Sequence, residues 1–210
     1  FDLACRNRIP LTVRGAGTWG YGGAVPTRGG ILIDLGLMDA VNVDVETLQI
    51  TTGPGARFVV IERELQKHGL QLLSMASGKG GTLIGWMATG GMGLGTFRHG
   101  SIKDQLVSLK VITPQGKTLI LRPDDPEIMN FLATEGQMGI IVEATLRVTH
   151  RPSKWYPFAV RFEKAAPAYA FAKQLSHHPL LKPGDLVVYH SDFVKALKTQ
   201  LNGDLPLEEG

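Results

Sequence analysis

The run Leu11-Thr12-Val13-Arg14-Gly15-Ala16-Gly17-Thr18-Trp19-Gly20-Tyr21-Gly22-Gly23-Ala24-Val25-Pro26 decides how this chain is read. Its first four residues have strand character. Gly15 to Gly20 then matches G-x-G-x-x-G, the pattern of a dinucleotide-binding turn. That pattern needs a helix directly behind it, because the helix N-terminus holds the pyrophosphate. Tyr21-Gly22-Gly23-Ala24-Val25-Pro26 cannot begin a helix of useful length. The loop leads instead, through a turn at Arg28-Gly29-Gly30, into a second strand at residues 31–35. A Rossmann domain of the NAD type is therefore excluded. Two readings of the loop stay open from these residues alone. Successive backbone N–H groups in a glycine-rich turn form a concave nest for an anion, and Thr18 adds a hydroxyl. A wide connection between two strands also needs glycines for its bends.

A second cluster tips this balance. Between Ser77 and Gly100, Gly80, Gly81, Gly85, Gly90, Gly91, Gly93 and Gly95 surround a short apolar helix expected near residues 82–89. The chain has 26 glycines in 210 residues, close to twice the ordinary share of about 7%. Twenty of the 26 lie in residues 1–100. Two glycine-lined walls in one domain point to a long groove for an extended dinucleotide. A P-loop is excluded, since no G-x-x-x-x-G-K-[ST] occurs.

Elsewhere, hydrophobic periodicity and turn chemistry predict a mixed order of elements. Residues 1–7 read as the end of a helix. Residues 48–52 form a third strand, ended by Gly53-Pro54-Gly55. Phe58, Ile61 and Leu65 repeat at helical spacing within residues 57–68, and Gly69 is the C-terminal stop. Residues 107–112 and 117–121 flank Pro114-Gln115-Gly116 as a hairpin. A short helix follows over residues 126–134, then a strongly alternating strand over 139–148. After Arg151-Pro152-Ser153 glycine nearly vanishes, and aromatics and alanine rise. Strands are expected at 158–162 and 186–189, and helices at 165–177 and 193–201. The boundary falls near residue 152, giving domains 1–152 and 153–210. The irregular order of strands and helices makes the class α+β.

Composition excludes several function classes. Hydrophobic residues make up 43% of the chain, enough for a buried core. One cysteine excludes an intrachain disulfide framework, and no Cys/His cluster has zinc spacing. The formal charge of +3 is scattered rather than gathered on one face, so nucleic acid is not expected as a partner. No apolar run reaches the roughly 20 residues that span a bilayer, and no signal-peptide pattern opens the chain. A cytoplasmic protein is expected, reaching a membrane only through partners.

Val13-Arg14-Gly15-Ala16-Gly17-Thr18, followed by Gly22-Gly23-Ala24-Val25-Pro26-Thr27, resembles the flavin-pyrophosphate loop of the FAD-linked oxidases. These are the vanillyl-alcohol oxidase and p-cresol methylhydroxylase type, and the glycolate oxidase and D-lactate dehydrogenase branch is the most similar. Thr82-Leu83-Ile84-Gly85-Trp86-Met87-Ala88-Thr89 resembles that family's second FAD segment. Gly100-Ser101-Ile102-Lys103-Asp104 and Leu109 to Gly116 continue in the family's order. Glu135 to Leu146 resembles the strand that lies against the flavin. The likeness runs in order over about residues 5–150.

The resemblance implies two α+β subdomains clasping FAD. Arg14, Gly15, Ala16, Gly17, Thr18 and Gly22 would form the pyrophosphate loop. Ser77, Thr82, Gly85, Ala88, Thr89 and Gly93 would line the facing wall. Asp104 would make a polar contact, and Ile140 and Ile141 would touch the flavin region. Residues 153–210 would begin the cap domain that carries the substrate pocket, with the rest of the cap and an N-terminal strand outside this chain. Three positions depart from the family's pattern: Ile84 stands for a usual Gly, Trp86 for Asn and His99 for Tyr. Some relatives attach FAD through His or Cys in these loops. Thr18 and its neighbours offer no His, and the second cluster no Cys, so noncovalent FAD is expected.

The implied activity is oxidation of a small hydroxylated substrate, such as a 2-hydroxy acid, by hydride transfer to the flavin, with an electron acceptor and possible partner subunits. The alternative is a non-catalytic FAD-binding subunit of a larger oxidase complex. No catalytic residue is assigned within this chain, and no metal site. Cys5 is expected as a buried small hydrophobe, and His177 and His178 as imidazoles favoured by a helix C-terminus. Trp19 and Trp86 cover the cofactor or pack in the core. No Ser-His-Asp arrangement is supported.

Overall fold

The computed structural model describes residues 2–200. It divides into two compact units, Phe1–Arg151 and Pro152–Gly210. The expected helix end at Leu201, the closing run Leu205–Gly210 and Phe1 lie outside the described residues.

The first unit opens with helix α1 (Asp2–Asn7) and strand β1 (Leu11–Arg14), which pairs in parallel with β2 (Ile31–Asp34). A parallel pair needs a crossover of a dozen residues or more. The glycine loop over residues 15–30 supplies it without a helix, as its composition required. Strands β3 (Val41–Asp44), β4 (Gln49–Thr52), β5 (Leu70–Leu72), β6 (Leu106–Ile112), β7 (Thr118–Leu121) and β8 (Ile140–His150) form the main sheet. Its order is β3-β4-β8-β6-β7, and β5 pairs with the far end of β8. Every pairing in it is antiparallel.

Strand β8 is the spine: it runs for eleven residues, and from Ala144 to Val148 buried side chains alternate with less buried ones. Ala144, Leu146 and Val148 point to one face, where they join Ile50, Leu109 and Val111 in the core. On the other face Thr51 and Thr145 sit opposite each other and share a hydrogen bond of 2.9 Å. Helix α2 (Phe58–Gln66) covers the apolar face with Phe58, Ile61 and Leu65, all fully buried. Each contributes about 1.5–3 kcal/mol relative to an exposed side chain. Gly69 stops the helix in the left-handed region, φ 65°. Helix α3 (Leu83–Ala88) lies beside it, burying Leu83, Ile84 and Met87.

Several elements escape the sequence pattern. Strand β5 has three residues, too few for periodicity to register. Strand β3 has only four residues, Val41 and Val43 alternating with Asn42 and Asp44. Helices α4 (Thr96–His99) and α5 (Ile102–Gln105) are one turn each. The helix expected over 126–134 is a 3₁₀ turn at Pro126–Asn130. Cys5 corrects its expectation: it is exposed, and its thiol donates to Pro114 O at 3.0 Å. Ala4 takes the buried side of α1, and one residue further is about 100° around the helix.

The second unit holds α6 (Ala165–Ser176) and α7 (Ser191–Gln200). Phe162 and Phe171 pack with ring centroids 5.5 Å apart, and Tyr189 stacks on Phe193 at 5.0 Å. The strands expected at 158–162 and 186–189 do not form. A strand exists only as part of a hydrogen-bonded ladder, and among the described residues neither stretch pairs with another.

Candidate functional site

A cavity of about 470 Å³ opens in the first unit where three loops meet. The first loop follows β1, the second surrounds α3, and the third runs from Phe131 to Gly139 ahead of β8. Ten of the thirty lining residues are glycine. The loops approach closely because their glycines allow it. A Cβ at Gly15 would stand 2.5 Å from Thr82 Oγ1, and one at Gly81 would stand 3.2 Å from Thr18 Oγ1. Gly17 adopts φ 67°, a backbone region costly for a residue with a side chain.

Two other glycines have a different reason. A Cβ at Gly78 or Gly80 meets no protein atom within 4 Å, and neither has a left-handed φ. Neither protein packing nor backbone conformation calls for glycine there. Both line the cavity, so neither position carries a side chain into it.

Each wall is held by its own bonds. Thr82 caps α3, its hydroxyl accepting from Gly85 N at 3.2 Å. Thr89 closes the other end, its hydroxyl donating to Trp86 O at 2.9 Å. The third loop docks on the last carbonyls of α3: Glu135 N donates to Ala88 O at 2.8 Å, and Ala133 N to Met87 O at 3.4 Å. Trp86 Nε1 donates to Met92 O at 3.3 Å, and the indole meets Phe58 edge-on, centroids 5.5 Å apart. Trp19 and Tyr21 pack on each other at 5.1 Å in the first loop.

The structure brings most of the expected residues together. Gly15, Ala16, Gly17 and Thr18 line one side of the cavity. Ser77, Thr82, Gly85, Ala88, Thr89 and Gly93 line the second loop's side, and Ile140 and Ile141 the third's. Arg14, Gly22 and Asp104 lie outside the lining. Arg14 turns to Asp34, donating from Nη2 to Oδ2 at 2.5 Å. The Gly36 N–H, then this guanidinium, hold the Asp34 carboxyl below the usual carboxylate range. Gly22 shapes a turn, φ 82°, closed by Val25 N donating to Gly22 O at 3.0 Å. Asp104 caps α5, accepting from Ser101 N at 2.7 Å and Ser101 Oγ at 2.9 Å. Its own carbonyl accepts from Arg147.

Sequence reasoning missed Phe58 and Leu35, which reach the cavity from the core, and assigned no individual contact to Gly23, Gly78 or Glu135 on its loops. Trp19, and the two departures Ile84 and Trp86, also line the cavity. The signal for Glu135 was present: an acidic residue and a glycine on a short loop directly ahead of the strongest strand. His99 ends α4 away from the lining. His177 and His178 make local bonds with Ser176, Lys173, Leu180 and Leu181. Among the described residues no cluster of three or more His, Cys, Asp or Glu could hold a metal. No helix of the described residues is long and apolar enough to cross a membrane.

Comparison with known proteins identifies the chain's family. The FAD binding domain family matches residues 1–122. D-lactate dehydrogenase of Anaerostipes hadrus is 27% identical over 186 residues, covering 85% of this chain and 39% of that protein. A glycolate oxidase subunit of Bacillus subtilis is 27% identical over 161 residues, covering 71% of this chain and 34% of that protein. Among solved structures, alkyldihydroxyacetonephosphate synthase superposes with a TM-score of 0.65 at 29% identity, over 73% of this chain and 32% of that one. The chain thus spans between about a third and two-fifths of the curated relatives named here. It belongs to the FAD binding domain family, of the p-cresol methylhydroxylase type, and its cofactor is FAD.

Proposed function

We propose that this member of the FAD binding domain family holds FAD noncovalently in the three-loop cavity and serves the oxidation of a small 2-hydroxy acid. The observation that carries the reading is the pair Gly78 and Gly80, which open onto the cavity with no protein atom to accommodate. The substrate class rests on the names of two relatives, a D-lactate dehydrogenase and a glycolate oxidase subunit. Both lactate and glycolate carry a hydroxyl next to a carboxylate.

The roles follow from the chemistry of the lining. The backbone of Gly15 to Thr18 binds the pyrophosphate through N–H groups, with the Thr18 hydroxyl as a further donor. Arg14, Gly22 and Asp104 act behind this surface: Arg14 and Gly22 shape the first loop, and Asp104 fixes α5. Thr82, Gly85, Ala88 and Thr89 form the opposite wall, and Ile140 and Ile141 exclude water from it. FAD supplies the hydride-accepting ring when bound. No His or Cys lines the cavity, which supports noncovalent attachment. We read residues 153–210 as the start of a substrate-binding cap. The partners are then a small-molecule substrate and an electron acceptor.

The test is optical. The purified full-length protein should absorb near 375 and 450 nm, roughly where flavins absorb. Acid precipitation should release all of the colour. Yellow retained in the washed pellet would overturn noncovalent attachment, and a colourless protein that takes up no added FAD would overturn the whole reading.

A further inference from the structure

Glu135 is the single ionisable side chain among the residues that line the cavity. The other polar groups there are backbone amides, indoles and the hydroxyls of Thr18, Ser77, Thr82 and Thr89. No lysine or arginine joins them. A dinucleotide carries two phosphate charges, and a carboxylate offers them nothing, since it can only accept hydrogen bonds. Its presence therefore answers another part of the guest.

Its backbone is fixed, and its carboxylate lies beside the first loop. The backbone at Glu135 has φ 53°, a region that residues with side chains adopt rarely. Its amide donates to Ala88 O at 2.8 Å, which fixes the residue against the end of α3. A Cβ at Gly23 would stand 2.8 Å from Glu135 Oε2. Gly23 has no left-handed φ, so a side chain there would meet the carboxylate and turn it aside rather than strain the backbone. The third loop thus carries an acceptor across to the first loop, at the edge of the space between them. Uncommon backbone geometry that the surroundings hold in place is a mark of functional positions.

Taking the cavity as the FAD site, as proposed above, we infer that Glu135 is the acceptor for sugar-type hydroxyls of the bound cofactor, on its ribityl chain or its adenosine ribose. A carboxylate's two oxygens suit neighbouring hydroxyls, and such charge-assisted bonds are stronger than neutral ones. This makes Glu135 a specificity-determining residue for the cofactor rather than a catalytic one.

The experiment uses apo-protein prepared from the full-length flavoprotein, titrated with FAD, riboflavin and ADP. Glu135→Gln keeps the shape and removes the charge. It should weaken FAD about ten- to a hundredfold, the range for a lost bond to a charged group, with apo melting unchanged. The same loss should appear for riboflavin or for ADP, and the half that responds names the hydroxyls. Gly23→Ala should displace the carboxylate and weaken FAD in the wild-type background, with little further effect beside Glu135→Gln. It gives the same readout if Glu135→Gln fails to fold. Equal FAD affinity in wild type and Glu135→Gln overturns the inference while leaving the cavity's assignment intact. A loss on FAD with no loss on either half also overturns it. Wild-type protein that binds no FAD would overturn the assignment itself.

Discussion

Gly15 and Thr82 meet so closely that a single added carbon would collide: a Cβ on Gly15 would lie 2.5 Å from the Thr82 hydroxyl oxygen. That oxygen also caps α3 by accepting from Gly85 N. The first glycine loop and the start of the second wall are therefore set by one contact.

Gly15→Ala should destabilise the fold, because the Thr82 oxygen cannot move without losing its cap. Thr82→Ala alone should cost about 1 kcal/mol, the usual worth of an N-cap. The double variant should be more stable than the sum of the two losses, with a coupling of about 0.5–3 kcal/mol. Denaturant titration of all four proteins measures it, and strict additivity would contradict a direct contact.

Gly17→Val should weaken FAD binding by about 1.5–3 kcal/mol for each charge-assisted bond lost. A side chain there strains a backbone at φ 67° and disturbs Arg14, whose Cδ would be 3.3 Å away. Thr18→Ala should cost less, since one hydroxyl goes and the backbone stays. FAD affinity and apo melting are read together. A folded Gly17→Val protein with full affinity would remove this loop from the pyrophosphate site.

Leu146→Ala tests the sheet's core independently of the cavity. Leu146 is fully buried at the centre of β8 and does not line the cavity. Its truncation should cost about 2–5 kcal/mol of stability. FAD affinity per folded molecule should be unchanged. Thermal unfolding and flavin titration give the two numbers separately.

Asp34 should make stability depend on pH in one direction. Its folded pKa is lowered, chiefly by the Gly36 N–H and then by Arg14. A lowered pKa means the stabilisation is complete above the ordinary aspartate value of about 3.9. It fades as pH falls through the folded value. The stability difference between wild type and Asp34→Asn should be constant from neutral pH down to about 4 and shrink below it. A difference that does not change with acid would show that Asp34 is not held this way.

Much of this protein was written locally in its residues. The spacing of Phe58, Ile61 and Leu65 gave α2, the alternation through β8 gave the spine of the sheet, and the turn at Gly116 gave the β6–β7 hairpin. The glycine loops and a strand following the first one excluded a Rossmann helix and pointed to a flavin groove. These signals are legible because each rests on neighbours a few residues apart.

The tertiary structure alone decided which loops meet and which residues face the space between them. Only there does the Glu135 carboxylate stand across from Gly23, and Thr18 against Gly81. Only there does Arg14 turn away from the cavity to Asp34 on β2, and Asp104 stay with Ser101. Pairing also decided the fate of apolar runs: β5 exists because β8 extends far enough to receive it, whereas residues 158–162 and 186–189 have no such neighbour among the described residues. Periodicity states which face of an element is apolar; the partner and the register come from contacts between distant parts of the chain.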